Sequence, residues 1–166
     1  MPVFTARAAV LTISDSSFAG QREDRSGPAV AQALRDRGWE VAAPRVLPDE
    51  AAQIRRAFEE LAEDPDLSAV FTTGGTGLAP RDVTPEATRQ VIERDVPGLA
   101  ELMRSEGLKH TRRAALSRGV VGVRRQLLIV NLPGSPKGAI ESFEAIADLL
   151  PHAVELIRGG NPRHEP

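Results

Sequence analysis

The strongest constraint on this chain is the alternation of short apolar, β-rich runs with amphipathic helical patterns. Strand-like runs cover residues 8–14, 39–47, 67–73, 120–123 and 127–132. Between the second and third runs, apolar side chains recur at the spacing of one helical face: Ile54, Ala57, Phe58, Leu61 and Ala62. Strands that alternate with helices of this length predict βαβ units, and therefore an α/β fold built on a mostly parallel sheet.

Length and composition narrow the class of protein. The 166 residues suit one domain of ordinary size, and we expect it over residues 1–158 with a polar tail over residues 159–166. The absence of cysteine excludes disulfides, thiolate zinc sites and a thiol nucleophile. The net charge, 21 − 23 = −2, disfavours a nucleic-acid partner. The sequence has neither an apolar run long enough for a membrane span nor a signal-peptide pattern, so we expect a cytoplasmic protein with no membrane partner.

Several residues mark the expected boundaries of helices. Ser26 is typical of a helix N-cap, and the polar residues 15–25 before it predict a loop. Thr84, followed by a proline and an acid, predicts a helix capped by the threonine hydroxyl. Asp49 stands where it could cap the next helix, and Pro151 is expected to bend or break the last one.

Three loops have the composition of a binding site. Residues 14–27, 72–84 and 131–138 each follow a predicted strand and precede a predicted helix. In open α/β sheets, ligands bind beyond the carboxyl ends of the strands. Each loop can therefore bring backbone N–H groups and a helix N-terminus to an anion.

The second of these loops is the most informative. Glycines fill three of the four positions 74–77, where they let the backbone approach a ligand closely, and Thr76 adds a hydroxyl. Arg81 supplies a planar cation suited to phosphate. Asp82 adds a carboxylate, which makes sense in an anion-binding loop if a divalent cation screens it. Asp49, expected at the same end of the sheet, is the candidate for a second carboxylate.

Simpler interpretations exist for each feature taken alone. The glycines could merely form a turn, Asp49 could be only a helix cap, and Asp24 and Ser26 could be loop and cap residues. The glycine loop is not a P-loop, since no Gly-Lys-Ser or Gly-Lys-Thr follows it, and its spacing does not fit a dinucleotide fingerprint. No Gly-x-Ser-x-Gly elbow supports a serine hydrolase, and the three histidines have no metal-ligand spacing.

Taken together, the loops resemble a known family. Residues 72–88 read TTGGTGLAPRDVTPEAT, residues 116–118 read LSR and residues 131–135 read NLPGS. Residues 14–15 read SD and residues 24–27 read DRSG. These motifs, in this order over nearly the whole chain, resemble the molybdenum-cofactor biosynthesis family of MogA/MoaB type, which includes the N-terminal domain of gephyrin and the plant Cnx G domain.

The resemblance implies a three-layer α/β/α fold, a homotrimer and an enzyme that adenylylates molybdopterin. Molybdopterin and ATP would be the substrates, Mg²⁺ the cofactor, and pyrophosphate a product. Two functionally essential aspartates of the family fall on Asp49 and Asp82, which would be both catalytic and metal-binding. A separate molybdenum-insertion protein is the implied partner.

The resemblance also implies a wider set of binding residues, in which Asp15, Ser26 and Gly27 would shape the nucleotide side. The residues implied to bind the substrates are Ser14, Asp15, Asp24, Ser26, Gly27, Thr73, Gly74, Gly75, Thr76, Gly77, Arg81, Ser117, Asn131, Pro133, Gly134 and Ser135. Two alternatives remain at this point: a MoaB-like protein that binds or carries molybdopterin without adenylyl transfer, and a purely structural assembly domain.

Overall fold

A computed structural model describes residues 5–160 of the protein. The N-terminal residues 1–4 and the last six residues of the expected tail, 161–166, lie outside this part. Within residues 5–160, no helix combines the length and the apolar character needed to cross a membrane.

Strands and helices alternate along the described chain, as the sequence predicts. The strands are β1 (Ala6–Ile13), β2 (Trp39–Val41), β3 (Arg45–Leu47), β4 (Leu67–Thr73), β5 (Arg94–Asp95), β6 (Val121–Arg124) and β7 (Leu127–Leu132). The helices are α1 (Asp15–Phe18), α2 (Ser26–Asp36), α3 (Ala51–Ala62), α4 (Thr84–Val91), α5 (Pro97–Leu108), α6 (Pro136–Ile146) and α7 (Leu150–Ile157), with a 3₁₀ helix at Arg112–Leu116.

The strands form one sheet in the order β2-β1-β4-β7-β6-β5, and β3 also pairs with β1. The pairs of β1 with β2, β3 and β4, and of β4 with β7, are parallel. The pairs of β6 with β7 and with β5 are antiparallel. The sheet is therefore mostly parallel, with an antiparallel edge.

Helices cover both faces of this sheet, which confirms the expected α/β/α fold. Along β4, Phe71 packs toward the side that holds α2, α5, α6 and α7, whereas Val70 packs toward α3 and α4. Successive side chains of a strand point to opposite faces, so a strand that is buried on both sides reads as a continuous apolar run. The seven residues of β4 are all buried.

One predicted strand is wrong in extent. The run 39–47 forms two short strands, β2 and β3, which both lie beside β1. Pro44 falls in the gap between them, and proline cannot donate a hydrogen bond to a ladder. Because of this break, residues 39–47 stay on one side of β1 and bend between the part that pairs as β2 and the part that pairs as β3.

Two predicted helix caps are also wrong. The N-cap of α2 is Arg25, and the N-cap of α4 is Val83, neither with a side-chain cap bond. Ser26 and Thr84 are the first residues of their helices, and their hydroxyls are used in tertiary contacts instead. The predicted loop 15–25 contains α1, whose N-cap Ser14 accepts a hydrogen bond from Ser17 N.

The last predicted helix is indeed broken. It divides into α6 and α7 before residue 150, and Pro151 lies in the first turn of α7. Proline is tolerated at that position because the first turn has no intrahelical acceptor for its N–H group. The proline therefore starts the second helix rather than ending the first.

The parallel strands end level with one another. Ile13 pairs with Leu47, Thr12 with Thr73, and Thr73 with Leu132. The loops that follow β1, β3, β4 and β7 therefore begin at the same edge of the sheet. This register brings together loops that are more than a hundred residues apart in sequence.

An aromatic cluster anchors the sheet to the helices on one face. The Phe71 ring lies edge-on to Trp39, with centroids 6.0 Å apart, and to Phe143, with centroids 5.8 Å apart. Phe71 is fully buried. Its ring therefore links β4, β2 and α6.

We expect Phe71→Ala to lower the free energy of unfolding by roughly 3–5 kcal/mol, because it leaves a cavity between these elements. Since 1 kcal/mol shifts the midpoint of a chain this size by about 2–4 °C, thermal unfolding should occur about 6–20 °C lower. Phe18→Ala is the control, because Phe18 is 56% exposed. Equal losses for the two variants, measured by calorimetry, would contradict the packing described here.

Candidate functional site

Two aspartates hold the loops after β1 and β3 together. Asp15 N donates to Asp49 Oδ2 at 2.9 Å, and Asp49 N donates to Asp15 Oδ1 at 2.9 Å. Asp49 does not cap α3, since the N-cap is Glu50 and no side chain bonds there. The helix-cap interpretation of Asp49 is therefore wrong, and we call this reciprocal contact the Asp15–Asp49 brace.

Arg81 reaches the brace from the loop after β4. Its Nε and Nη2 donate to the two carboxylate oxygens of Asp15 at 2.5 and 3.0 Å. This bidentate pair, followed by the N–H group of Asp49, holds the pKa of Asp15 below its usual value. The Arg81 guanidinium, which the sequence suggests as a phosphate-binding group, thus already has an anionic partner in Asp15.

Asp49 has the opposite electrostatic environment. Desolvation raises the pKa of its carboxyl, and the nearby charges of Asp15 and Asp82 raise it further, against the lowering effect of the Asp15 N–H group. A carboxylate whose charge is disfavoured in this way would gain from a neighbouring cation. The influence of Asp82 also shows that the two predicted catalytic aspartates lie within electrostatic reach of each other.

The glycine loop is pressed against both the sheet and Asp49. Gly74 and Gly75 have φ angles of +93° and +69°, which side chains other than glycine rarely adopt. A Cβ on Gly74 would lie 2.3 Å from the Ile13 carbonyl oxygen. A Cβ on Gly75 would lie 2.2 Å from Thr84 Oγ1 and 3.1 Å from Asp49 Oδ1. These glycines therefore let the loop lie directly beside the brace.

Asp82 closes the far end of the same loop. Its Oδ2 atom accepts from Ala79 N at 3.0 Å, and its own N–H donates to the Ala79 carbonyl at 2.9 Å. A Cβ on Gly77 would lie 2.8 Å from Asp82 Oδ2. The carboxylate is thus turned back onto the glycine loop.

Two adjoining clefts open along this edge and share the wall formed by Gly134 and Ser135. The first cleft, of about 450 Å³, is bordered by the loops after β1, β4 and β7. The second, of about 660 Å³, lies between the glycine loop, the 3₁₀ helix and α6. Ser135 is the N-cap of α6 and accepts from Gly138 N, so the N-terminus of that helix faces the shared wall.

The clefts bring together most of the predicted binding residues. Those on the first cleft are Ser14, Asp24, Ser26, Thr73, Gly74, Gly134 and Ser135. Those on the second are Gly75, Thr76, Gly77, Asp82, Ser117, Pro133, Gly134 and Ser135. Asp15, Asp49 and Arg81 lie at the brace rather than on either cleft wall.

Two other predicted binding residues are enclosed by protein. The Asn131 side chain is 1% exposed, donates to Thr72 and Thr88, and accepts from Val120 N. Gly27 is buried, and a Cβ there would lie 2.3 Å from Thr12 Oγ1. A side chain with all its hydrogen bonds inside the core has little left for a ligand. Asn131, in β7, instead links β4 through Thr72, α4 through Thr88 and the residue before β6 through Val120.

Several cleft residues also have partners within the protein. Asp24 accepts from Thr12 Oγ1 and Gly27 N, and Ser26 Oγ bonds Thr73 Oγ1 at 2.8 Å. These bonds fix the wall of the first cleft. They also explain why Ser26 is not a helix cap, since its hydroxyl faces the sheet.

Sequence reasoning missed Arg118 and Thr84 as parts of the site. Thr84 Oγ1 donates to the Gly74 carbonyl at 3.0 Å, and Arg118 donates to the carbonyls of Gly77 and Asp82. Both residues stand inside the family motifs quoted above. The only signal for them was that position, because neither has a spacing that indicates a contact with the loop.

The donor set of the two aspartates fits Mg²⁺. The N–H groups of Asp15 and Ala79 occupy one oxygen of each carboxylate, which leaves the Oδ1 atoms for another ligand within the part of the chain that the structure describes. Among residues 5–160 no cluster of three or more His, Cys, Asp or Glu residues forms a metal cage. Mg²⁺ is commonly held by one or two carboxylates together with water and substrate phosphates, as such an open pair allows.

Comparison with known proteins agrees with the motifs. The profile of the family described as "Probable molybdopterin binding domain" matches residues 9–152. A Helicobacter pylori protein named molybdopterin adenylyltransferase is 39% identical over 162 residues, covering 93% of this chain and 89% of that protein.

Two further relatives are similar. The Drosophila melanogaster protein named molybdenum cofactor synthesis protein cinnamon is 44% identical over 149 residues, 89% of this chain, but the chain spans only 25% of that protein's length. A crystal structure described as the molybdopterin biosynthesis enzyme MoaB from Thermus thermophilus is 52% identical, with a TM-score of 0.87 and coverage of 93% of this chain and 97% of that one.

We expect Asp49→Asn to raise the midpoint of thermal unfolding at neutral pH without metal, because burial and the neighbouring acids raise the pKa of Asp49 and so disfavour its charge. A carboxyl whose folded pKa is raised contributes stability only while it is protonated, and this is lost as pH rises through the folded pKa. Asparagine removes that cost and keeps an oxygen for Asp15 N.

The matched control is Glu60→Gln, which makes the same change of charge on the exposed side of α3. Its midpoint should stay unchanged, measured by differential scanning calorimetry at pH 7. A lower midpoint for Asp49→Asn than for the unmodified chain would show that the charge of Asp49 does not destabilise the folded protein in the absence of metal.

Proposed function

The chain belongs to the family of probable molybdopterin binding domains, and from this membership we propose that it is a Mg²⁺-dependent molybdopterin adenylyltransferase. It would transfer AMP from ATP to molybdopterin during synthesis of the molybdenum cofactor. The proposal agrees with the activity named for the Helicobacter pylori relative.

The observation that carries the proposal is the pair of clefts that meet at Gly134 and Ser135. A transfer between two substrates requires both to be held in contact, and their alignment supplies much of the rate. Volumes of about 450 and 660 Å³ are in the range of small-molecule sites. One substrate in each cleft would bring the two phosphate groups together at the shared wall.

The reaction needs no nucleophilic side chain. An oxygen of the terminal phosphate of molybdopterin attacks the α-phosphorus of ATP. The bond from that phosphorus to the oxygen bridging to the β-phosphorus breaks, and pyrophosphate leaves with the electron pair. Catalysis of this kind consists mainly of positioning and of stabilising the charge on the transferred group.

The loops supply the groups that such positioning requires. Backbone N–H groups of residues 75–77 and the N-terminus of α6 at Ser135 are suited to the phosphates, whereas the Gly74 N–H already donates to the Leu132 carbonyl. Of the three residues expected to shape the nucleotide side, Ser26 lies on the first cleft and would face the nucleotide. Asp15 and Gly27 would support that side without lining the cleft. Arg81 could exchange its partner Asp15 for a phosphate oxygen when the nucleotide arrives.

Asp49 and Asp82 would hold Mg²⁺, directly or through water. When bound, the ion would neutralise the triphosphate and the departing pyrophosphate. The Asp82 charge acts on Asp49, so the protein has to hold the two carboxylates against their repulsion. The Asp15–Asp49 brace fixes Asp49, and the Ala79–Asp82 turn fixes the local orientation of the Asp82 carboxylate.

The resemblance extends the proposal to the setting of the reaction. A homotrimer, a contact with a molybdenum-insertion protein and a cytoplasmic location all stay predictions. The division of the chain at residue 158 stays one as well.

A second candidate is a protein that binds or carries molybdopterin without adenylyl transfer. It corresponds to the MoaB-like branch of the family, and the structure described as the molybdopterin biosynthesis enzyme MoaB is 52% identical to this chain. This alternative predicts molybdopterin binding that needs no ATP and is unaffected by Asp49→Ala.

We expect Asp82→Asn to lower ATP-dependent pyrophosphate release by roughly 10²–10³-fold, the usual loss when one group that stabilises transition-state charge is removed. Asparagine keeps the shape and an acceptor for Ala79 N but cannot neutralise Mg²⁺. The assay uses purified molybdopterin, ATP and Mg²⁺.

Asp66→Asn is the control, since the Asp66 side chain is 79% exposed and lies beside Arg7, away from the clefts. It should release pyrophosphate at the unmodified rate. Full release by Asp82→Asn would refute the role of that residue. If the unmodified protein releases none yet binds molybdopterin, the carrier function is the correct one.

A further inference from the structure

One side chain outside the predicted site converges on the loop that carries Asp82. Arg118 follows the 3₁₀ helix, and its backbone N–H donates to the Thr76 carbonyl at 2.9 Å. Its Nε donates to the Gly77 carbonyl at 2.8 Å, and its Nη2 donates to the Asp82 carbonyl at 2.8 Å. The same residue therefore holds the loop at its beginning and at its end.

The guanidinium is itself fixed by Glu86. Both of its Nη atoms lie against the Glu86 carboxylate in the first turn of α4. The hydrogen bond from Arg118 holds the pKa of Glu86 below its usual value, and the same bond raises the pKa of the Arg118 guanidinium. Arg118 is therefore charged, oriented and tied to the helix that begins directly after the loop.

The other hydrogen bonds and ion pairs of residues 77–82 fix the position of Asp82 less firmly than the Arg118 bonds do. The contacts between Ala79 and Asp82 shape a local turn but connect it to nothing else. The Arg81–Asp15 pair does reach across the site, yet its side chains are 62% and 42% exposed, and ion pairs at such exposure stabilise weakly. The Arg118 bonds are instead made to main-chain carbonyls, by a side chain that is 35% exposed, and they link the loop to the segment that leads into β6.

We propose that Arg118 is a positioning residue that sets the distance of the Asp82 carboxylate from Asp49, and so the affinity of the pair for a divalent cation. The inference rests on the proposed function only in taking Mg²⁺ as the cation. Lysine cannot replace arginine here, because three separate acceptors require the fixed fork of the guanidinium.

A purely structural arginine would behave differently, and the chain offers one as a matched control. Arg124, in the neighbouring strand β6, donates through Nη1 to the Val91 carbonyl at the end of α4. It is a partly buried arginine bonded to the main chain, like Arg118, but it does not contact residues 76–82. Arg118→Lys and Arg124→Lys thus separate loop positioning from general stabilisation.

The first readout needs no substrate. Hydrogen exchange measured by NMR should be faster at the amides of Ala79 and Asp82 in Arg118→Lys, by about 10-fold or more, and unchanged in Arg124→Lys. These amides close the turn that Arg118 holds in place. Unchanged exchange in Arg118→Lys would overturn the inference.

The second readout is cation affinity. Mn²⁺, a paramagnetic substitute for Mg²⁺, is titrated into the protein with a non-hydrolysable ATP analogue and followed by electron paramagnetic resonance. Arg118→Lys should weaken Mn²⁺ binding by roughly 10–100-fold, as loss of a residue that orients a ligand does. In the assay of pyrophosphate release, Arg118→Lys should need a higher Mg²⁺ concentration for half-maximal activity. Its kcat should be largely recovered at saturating Mg²⁺.

The outcomes distinguish this inference from the proposed function. Equal weakening in Arg118→Lys and Arg124→Lys, or none in either, would overturn the positioning role. No Mn²⁺ binding by the unmodified protein would overturn both the inference and the metal part of the proposed function. Normal Mn²⁺ binding that depends on Arg118, without pyrophosphate release, would overturn the proposed function alone.

If Arg118→Lys does not fold, Glu86→Gln serves as the second variant. It leaves the Arg118 bonds to the loop in place but removes their charged anchor. We then expect a smaller loss of Mn²⁺ affinity, about 3-fold, with the free energy of unfolding measured alongside. Unchanged affinity in a folded Glu86→Gln variant would count against the inference.

Discussion

The level ending of the parallel strands is the constraint on which the rest of this structure depends. β1 lies between β3 and β4, and β4 pairs with β7, so that Ile13 pairs with Leu47 and Thr73 with Leu132. A one-residue slip in any of these pairings would turn apolar side chains to the wrong face of a sheet that is buried on both sides. The hydrophobic pattern therefore fixes the register, and the register fixes which loops meet. The Asp15–Asp49 brace, the glycine loop and the two clefts follow from it.

The meeting of those loops carries an electrostatic cost. The charges of Asp15 and Asp82 both act on Asp49, and within residues 5–160 only Asp15 of these three has a bidentate cationic partner. Asp49 is left with a raised pKa because burial and its acidic neighbours disfavour its charge. Main-chain N–H groups and Arg118 keep the arrangement in place without neutralising it. A site of this kind is less stable than the fold could make it, as is common where charge is kept for a ligand.

The strands and the general place of the site could be predicted from the sequence, whereas several local details could not. β4 and β7 have the bounds that their apolar runs indicate, since a doubly buried strand needs a continuous run of that length. Ser26 and Thr84 have good propensity for helix caps, yet each hydroxyl bonds a residue of the glycine loop or the strand before it. A long-range partner was favoured over local capping, and such a partner leaves no trace in the spacing of nearby residues.

By itself, the sequence determined the α/β class, the binding loops at the carboxyl ends of the strands, and Asp49 and Asp82 as the candidate carboxylates. These follow from periodicity and motifs, which are local properties of the chain. Only the tertiary structure decided which polar residues face a cleft and which support it. Asn131 uses its whole amide inside the core, and Arg118 reaches residues 32 to 41 positions away. The reason is that buried polar groups must be satisfied, and their partners are set by how the elements pack rather than by neighbours in sequence.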